Sequence, residues 1–218
     1  RKAVQPAVAP RQLAQLEPLI RQRVGRIMDE LPVGEPFNWV ERVSIELTTQ
    51  MLATLFDFPF EDRHLLTYWS DRATEVPEGM EGSQEVDEAI RNDLLECLAY
   101  FQRLWEARKD RPGNDFVSMM AHSDAYRDMD PLEYLGNLIL LIVGGNDTTR
   151  NSITGGVYAL NKWPEEYDKL RADPSLIPNM VAEIIRWQTP LAHMRRTALE
   201  DVEFGGQRIP KGDRVVMW

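Results

Sequence analysis

The residues best suited to chemistry lie in one run, Gly144-Gly145-Asn146-Asp147-Thr148-Thr149. Two glycines precede a carboxyl and two hydroxyls, and two readings are open. In the plainer one, Gly-Gly-Asn ends a helix and Asp147 caps the next. In the other, the helix continues but is locally opened. Leu140, Val143, Gly144, Asp147 and Thr148 then share one face, within about 140° of arc at about 100° per residue. That face is apolar at one end, bare in the middle, and carries an acid–hydroxyl pair at the other end. Glycine lets a flat ligand approach the backbone, and an acid beside a hydroxyl can relay protons.

Three further groups carry side chains with chemical potential. Glu183 and Arg186 are spaced for a helical ion pair. They point away from the apolar face of Met180, Val181, Ile184 and Ile185, so they read as exposed. His193-Met194-Arg195-Arg196 offers two guanidinium groups, which are either surface charge or a clamp for an anionic group, since arginine forks match carboxylates. Cys97 sits in an ordinary amphipathic helical pattern and reads as a buried, inert thiol.

The elements that must position these residues are mostly helical. Leu13, Leu16, Leu19, Ile20, Val24 and Ile27 recur at helical steps. Further helices are predicted from about Asn38 to Phe56, Glu61 to Glu75 and Glu85 to Lys109. The acidic, glycine-rich stretch from Pro77 to Ser83 reads as a surface loop. Asp130-Pro131-Leu132-Glu133 is a helix start, with a capping acid and a proline at the first position. The pattern from there holds to about Asn161, roughly 45 Å at 1.5 Å per residue. Trp163-Pro164-Glu165-Glu166 starts another helix, and a last one runs from Pro178 to Gln188. From about 195 to 218 the texture changes to short strands and turns, including Val202-Glu203-Phe204 and Gln207-Arg208-Ile209. The fold class is therefore mainly α with a small β region, and the chain reads as one partial domain over 1–218.

Composition narrows the function classes. The chain has 218 residues, with 25 basic against 35 acidic, a net charge of −10, and 43% hydrophobic content. A core is affordable, and whole-chain disorder is excluded. The acidic balance argues against a general grip on nucleic acid. The single cysteine excludes a disulfide framework and any zinc site built on paired cysteines. His64, His122 and His193 show no metalloprotease spacing, and the apolar run Leu138 to Val143 is too short to span a membrane, which takes about 20 residues.

Taken in order, these segments resemble the cytochrome P-450 superfamily of heme-thiolate monooxygenases. Gly144-Gly145-Asn146-Asp147-Thr148 fits the family's Ala/Gly-Gly-x-Asp/Glu-Thr on a long central helix, and Glu183-Ile184-Ile185-Arg186 fits its Glu-x-x-Arg. The run Asp201 to Asp213 fits Asp-x-x-x-Gly-Gly-x-x-Ile-Pro-x-Gly-Asp. Arg1 and Lys2 look like the tail of a heme-contacting helix. At finer grain, Trp39 to Leu47, Gly144 to Ser152 and Thr189 to Arg196 are similar to the soluble bacterial medium-chain alkane terminal hydroxylases.

The resemblance implies a cytochrome P-450 fold cut at both ends, holding heme b. The cysteine that ligates the iron would lie on a loop beyond Trp218, because Cys97 does not match it; no metal ligand is expected in this chain. Asp147 would pass protons inward and Thr148 would hold the hydrogen-bond network where O2 is reduced. Gly144 and Gly145 would leave room over the porphyrin. Arg196, His193 and Arg1 would contact the cofactor, with Arg196 on a propionate. Leu140, Val143, Leu191 and Ala192 would line a pocket for a small apolar substrate. Glu183 and Arg186 would be structural, in a network buried by further chain. Electrons would come from a ferredoxin and its reductase in a bacterial cytoplasm. A monooxygenase of terpenes or steroids fits the same pocket chemistry.

Two rivals come from other classes. A terpene synthase would use Asn146-Asp147 in Asn-Asp-x-x-Ser-x-x-x-Glu, but Arg150 and Thr154 stand where serine and glutamate are needed. A non-enzymatic acidic helical interaction module explains the charge and the helices but gives no reason for Gly-Gly-x-Asp-Thr.

Overall fold

The computed structural model describes residues 2–74 and 83–218; Arg1 and most of the acidic loop expected at 77–83 lie outside the described residues. The chain falls into two compact units, Arg1–Thr154 and Gly155–Trp218.

The first unit begins with a short 3-10 turn and α1 (Pro10–Asp29). A π-helical turn, Val40–Ile45, then runs directly into α2 (Glu46–Phe56). The predicted single helix from 38 to 56 is thus two windings in series. After α2 come a 3-10 turn at Phe60–Asp62, α3 (His64–Thr74), α4 (Gln84–Arg108), α5 (Phe116–Ala121) and most of α6 (Pro131–Lys162). α6 starts as its residue types predict. The Asp130 carboxylate accepts from the Leu132 N–H at 2.8 Å and the Glu133 N–H at 3.3 Å, satisfying donors that an α-helix leaves unpaired at its start. α5 was not anticipated, because six residues are too few to show a helical period.

The core of this unit gathers Phe56 of α2, Leu66 and Trp69 of α3, Cys97 and Phe101 of α4, and Leu138 and Ile142 of α6, all fully buried. Phe56 meets Phe101 at 5.3 Å and Phe116 at 5.0 Å, both edge-on. Each such side chain contributes about 1.5–3 kcal/mol on burial. The consequence for the site lies in α6. Leu138, Ile142 and Asn146, four residues apart, are turned into the core. Gly136, Leu140 and Gly144, also four apart, are turned outward and exposed. Burying one stripe of the helix therefore holds the opposite stripe in a fixed outward direction.

In the second unit the end of α6 is followed by α7 (Pro164–Ala172), a 3-10 turn at Pro174–Leu176 and α8 (Ile177–Gln188). α8 approaches α6 at two glycines. A methyl group at Gly156 would lie 2.8 Å from Ile184 Cδ1, and one at Gly155 would overlap the Gln188 side chain. Two small antiparallel sheets complete the unit. β1 (Met194–Thr197) pairs with β4 (Arg214–Met217), with Arg196 opposite Val215. β2 (Val202–Phe204) pairs with β3 (Gln207–Ile209) across Gly205-Gly206. Both glycines have positive φ, +59° and +75°, as a tight two-residue hairpin demands. Mainly helical structure with a small β region is what the sequence predicted.

Candidate functional site

α6 is unbroken from Pro131 to Lys162. This excludes the break-and-cap reading of Gly144-Gly145-Asn146, and it equally corrects the expected local opening, since every residue through this stretch is α-helical. Two glycines in one turn cost helix propensity of about 1 kcal/mol each. The core stripe on the opposite side of the helix offsets that cost. The Thr148 hydroxyl donates to the Gly144 carbonyl at 2.9 Å, and the Ser152 hydroxyl donates to the Thr148 carbonyl at 2.7 Å. With its hydrogen donated along its own helix, the Thr148 oxygen keeps two lone pairs for accepting.

The outward face carries Leu140, 71% exposed, with half-buried Val143, open Gly144 and half-buried Thr148. The two glycines divide in role. A methyl group at Gly144 would meet no atom of the described residues within 4 Å. A methyl group at Gly145 would lie 2.7 Å from Leu52 Cδ2. Gly145 thus allows α2 to approach α6, and the expectation that it leaves room over a cofactor is corrected to a packing role. The open space belongs to Gly144.

Asp147 points toward α3. Its Oδ1 accepts from Arg150 Nη2 at 2.8 Å, from Asn146 Nδ2 at 3.3 Å and from Ser70 Oγ at a long 3.5 Å. Arg150 also reaches Asp71 Oδ1, with both terminal nitrogens at 3.1 Å. Asn146 is fully buried, and its Oδ1 lies 3.1 Å from the Thr48 hydroxyl of α2. Burial pushes the Asp147 carboxyl above the usual carboxylate range, although the Arg150 guanidinium beside it pulls the other way. Desolvation of the charged form outweighs the ion pair here.

Apart from Arg1, which lies outside the described residues, the other expected site residues belong to the second unit. Glu183 and Arg186 pair in a fork, at 2.6 and 2.7 Å, and both are exposed, as their helical positions predict. The buried network that the resemblance implies is not formed by the described residues of this chain. The pairing holds the Glu183 carboxyl below its ordinary range. Glu183 also lines a cleft of about 570 Å3 with Trp163, Met180 and Trp187, next to Gly156. Leu191 and Ala192 are exposed. The His193 ring lies 5.3 Å from the Trp218 ring. The Arg196 guanidinium is exposed, with the Arg195 carbonyl as its acceptor at 2.9 Å.

Heme is flat and apolar, with anionic tails. The α6 face fits one side of it: an exposed leucine, a half-buried valine, and a glycine whose missing methyl group would meet none of the described residues. Arg196 fits as a cation that could take a carboxylate. Cys97 does not fit as an axial ligand, since it is fully buried in the core and burial pushes its thiol far up from its ordinary value. Among the described residues no group of three or more potential ligands is arranged to hold a metal ion.

A family model, Cytochrome P450, matches residues 26–218. The chain belongs to the cytochrome P450 family. It is 36% identical over 219 residues to a linalool 8-monooxygenase of Pseudomonas putida, covering all of this chain and 53% of that protein. It is also 36% identical to a steroid C26-monooxygenase of Mycolicibacterium smegmatis, covering all of this chain and 50% of that protein. Cytochrome P450-153 from Novosphingobium aromaticivorans superposes with a TM-score of 0.88 at 50% identity, covering all of this chain and 52% of that one. The chain thus spans about half the length of the curated relatives it matches.

Several polar residues of the site escaped sequence reasoning. Arg150 follows Asp147 by three, an ion-pair spacing that was legible. Asn146 was read as part of the Gly-Gly-x-Asp-Thr run, as a helix stop and as a terpene-synthase ligand, and in none of these as a buried partner of α2. Ser70, Asp71 and Thr48 lie 77, 79 and 98 positions from their partners, and nothing local marks them.

Proposed function

We propose that the full-length enzyme is a heme-dependent monooxygenase that hydroxylates the terminal methyl of a medium-chain alkane or fatty acid. The observation that carries this is the outward face of α6, where apolar surface, an open glycine and a hydroxyl follow one another and a carboxyl sits one residue before the hydroxyl. Bound heme supplies the chemistry of O2 activation and C–H oxidation; this chain's residues supply a surface and protons. Leu140 and Val143 present only hydrocarbon, which gives an apolar substrate nothing polar to bond; by the family resemblance Leu191 and Ala192 would add further apolar lining in the full-length enzyme. Gly144 permits close approach to the α6 backbone. Thr148 accepts and donates at one oxygen, which suits it to hold an ordered water beside the reacting site. Asp147, one residue earlier and held up above the ordinary carboxylate range, can carry a proton to it. Arg196, with His193 three residues before it, would anchor the cofactor's carboxylates. Arg1, outside the described residues, would join them.

The reading extends to a bacterial cytoplasmic enzyme served by a ferredoxin and its reductase. The described helices include none long and apolar enough to cross a membrane. The experiment is turnover of octane by the full-length enzyme with a ferredoxin system, with 1-octanol as the expected product. A second reading, oxidation of a terpene or steroid, is favoured by the names of the two curated relatives. Turnover of linalool or a sterol side chain, with no octane binding, would establish it instead.

A further inference from the structure

We infer that Asp71 and Arg150 form a shared-guanidinium clamp that positions the Asp147 carboxyl and sets its readiness to carry a proton. The inference rests on the reading of Asp147 as a proton carrier and adds two positioning residues to it.

The geometry is that of one cation between two acids. Arg150 lies one turn beyond Asp147 on α6, and its Nη2 is 2.8 Å from Asp147 Oδ1 and 3.1 Å from Asp71 Oδ1. The second nitrogen, Nη1, also reaches the Asp71 oxygen at 3.1 Å. Side-chain exposure is 17% for Arg150, 20% for Asp147 and 45% for Asp71. With both acids ionised the cluster carries a net −1 in a partly desolvated place. One proton removes that excess. The acid farther from water gains more by taking it, because desolvation penalises its charged form more. Protonating Asp147 leaves the Arg150–Asp71 pair intact, so Asp71 keeps hold of the guanidinium while Asp147 is neutral and free to turn.

The other described groups beside Asp147 are uncharged. α3 faces Asp147 with Ser70 and Thr74 besides Asp71. α6 adds Asn146, and α2 contributes only the Thr48 hydroxyl, through Asn146. Among the described residues the charged groups facing Asp147 are therefore Arg150 and Asp71, and they act in opposite directions: Arg150 favours the carboxylate, and Asp71 opposes it.

That opposition gives the test. The full-length holoenzyme is labelled with 13C-carboxyl aspartate, and the Asp147 resonance is assigned by its loss in Asp147→Asn. It is then titrated in three variants. Asp71→Asn is expected to move the Asp147 midpoint down, by roughly half a pH unit given the exposure of Asp71. Arg150→Gln is expected to move it up by about one pH unit or more, and Arg150→Lys, which keeps the charge but cannot fork, to fall between parent and Gln. A merely structural role would move all three alike or not at all. A midpoint that stays put or rises in Asp71→Asn overturns the clamp, and that variant alone decides the matter should Arg150→Gln fail to fold. The alkaline limb of product formation is recorded on the same variants. Midpoints that shift as expected while the limb does not follow would uphold the clamp and reject Asp147 as the proton carrier.

Discussion

Gly144 and Gly145 adjoin in sequence yet serve different partners. One opens onto space; the other seats α2. Substitution separates them. In Gly145→Ala the new methyl group falls on Leu52, which is 2% exposed and has little room to yield. The expected loss is about 1–3 kcal/mol of overpacking, against a gain of about 1 kcal/mol in helix propensity. Gly144→Ala has only the gain and should melt no lower than the parent. It should nevertheless bind heme or alkane more weakly, because its methyl group stands on the face assigned to them. Melting temperature, heme content and alkane affinity on the pair check this, and equal melting losses would show that both glycines are packing residues. Local grammar could not make the distinction. It identified a face from period alone, but which glycine touches α2 depends on Leu52, 93 positions away in the chain.

The elements show the same division between what is near and what is far. The start of α6 was legible because Asp130, Pro131 and Glu133 act on neighbours within one turn. The hairpin at Gly205-Gly206 was legible because its backbone needs positive φ. The π-helical turn at Val40–Ile45 was not, since its residues are ordinary helix formers and the change of winding leaves no mark on composition. Cys97 on α4 was read correctly as buried from the amphipathic pattern around it, and its environment yields a pH prediction. Its thiol in the fold ionises above the ordinary value of 9.0, chiefly through burial. A raised folded-state value means that the associated stability is complete below about pH 9 and is lost as pH rises toward the folded value. The full-length enzyme should therefore resist urea less well from about pH 9 upward, and Cys97→Ala should remove part of that decline while leaving heme content unchanged. Loss of heme in Cys97→Ala would identify Cys97 as the ligand and overturn its placement in the core.

At the scale of the molecule, the family was legible from two short motifs, each weak alone, made specific by their spacing and by the run from Asp201 to Asp213. The resemblance also carried the roles of Arg196, His193, Leu191 and Ala192. In this structure those residues are exposed on the second unit, and Glu183–Arg186 is an exposed pair there, so their proposed roles belong to the full-length enzyme. The acidic clamp at Asp147 was not legible, because it joins α3 to α6 through side chains with no shared motif. The central claim is that α6 presents an oxygen-activation face with Thr148 at its polar end. It is tested most directly by the partition of reductant between hydroxylated product and hydrogen peroxide in the full-length enzyme carrying Thr148→Ala. Among the described residues Thr148 bonds only within its own helix, so heme content and alkane binding should hold while peroxide rises at the expense of product. An unchanged product-to-reductant ratio, with a melting loss of about 0.5–2 kcal/mol as for a lost structural hydroxyl, would contradict the account.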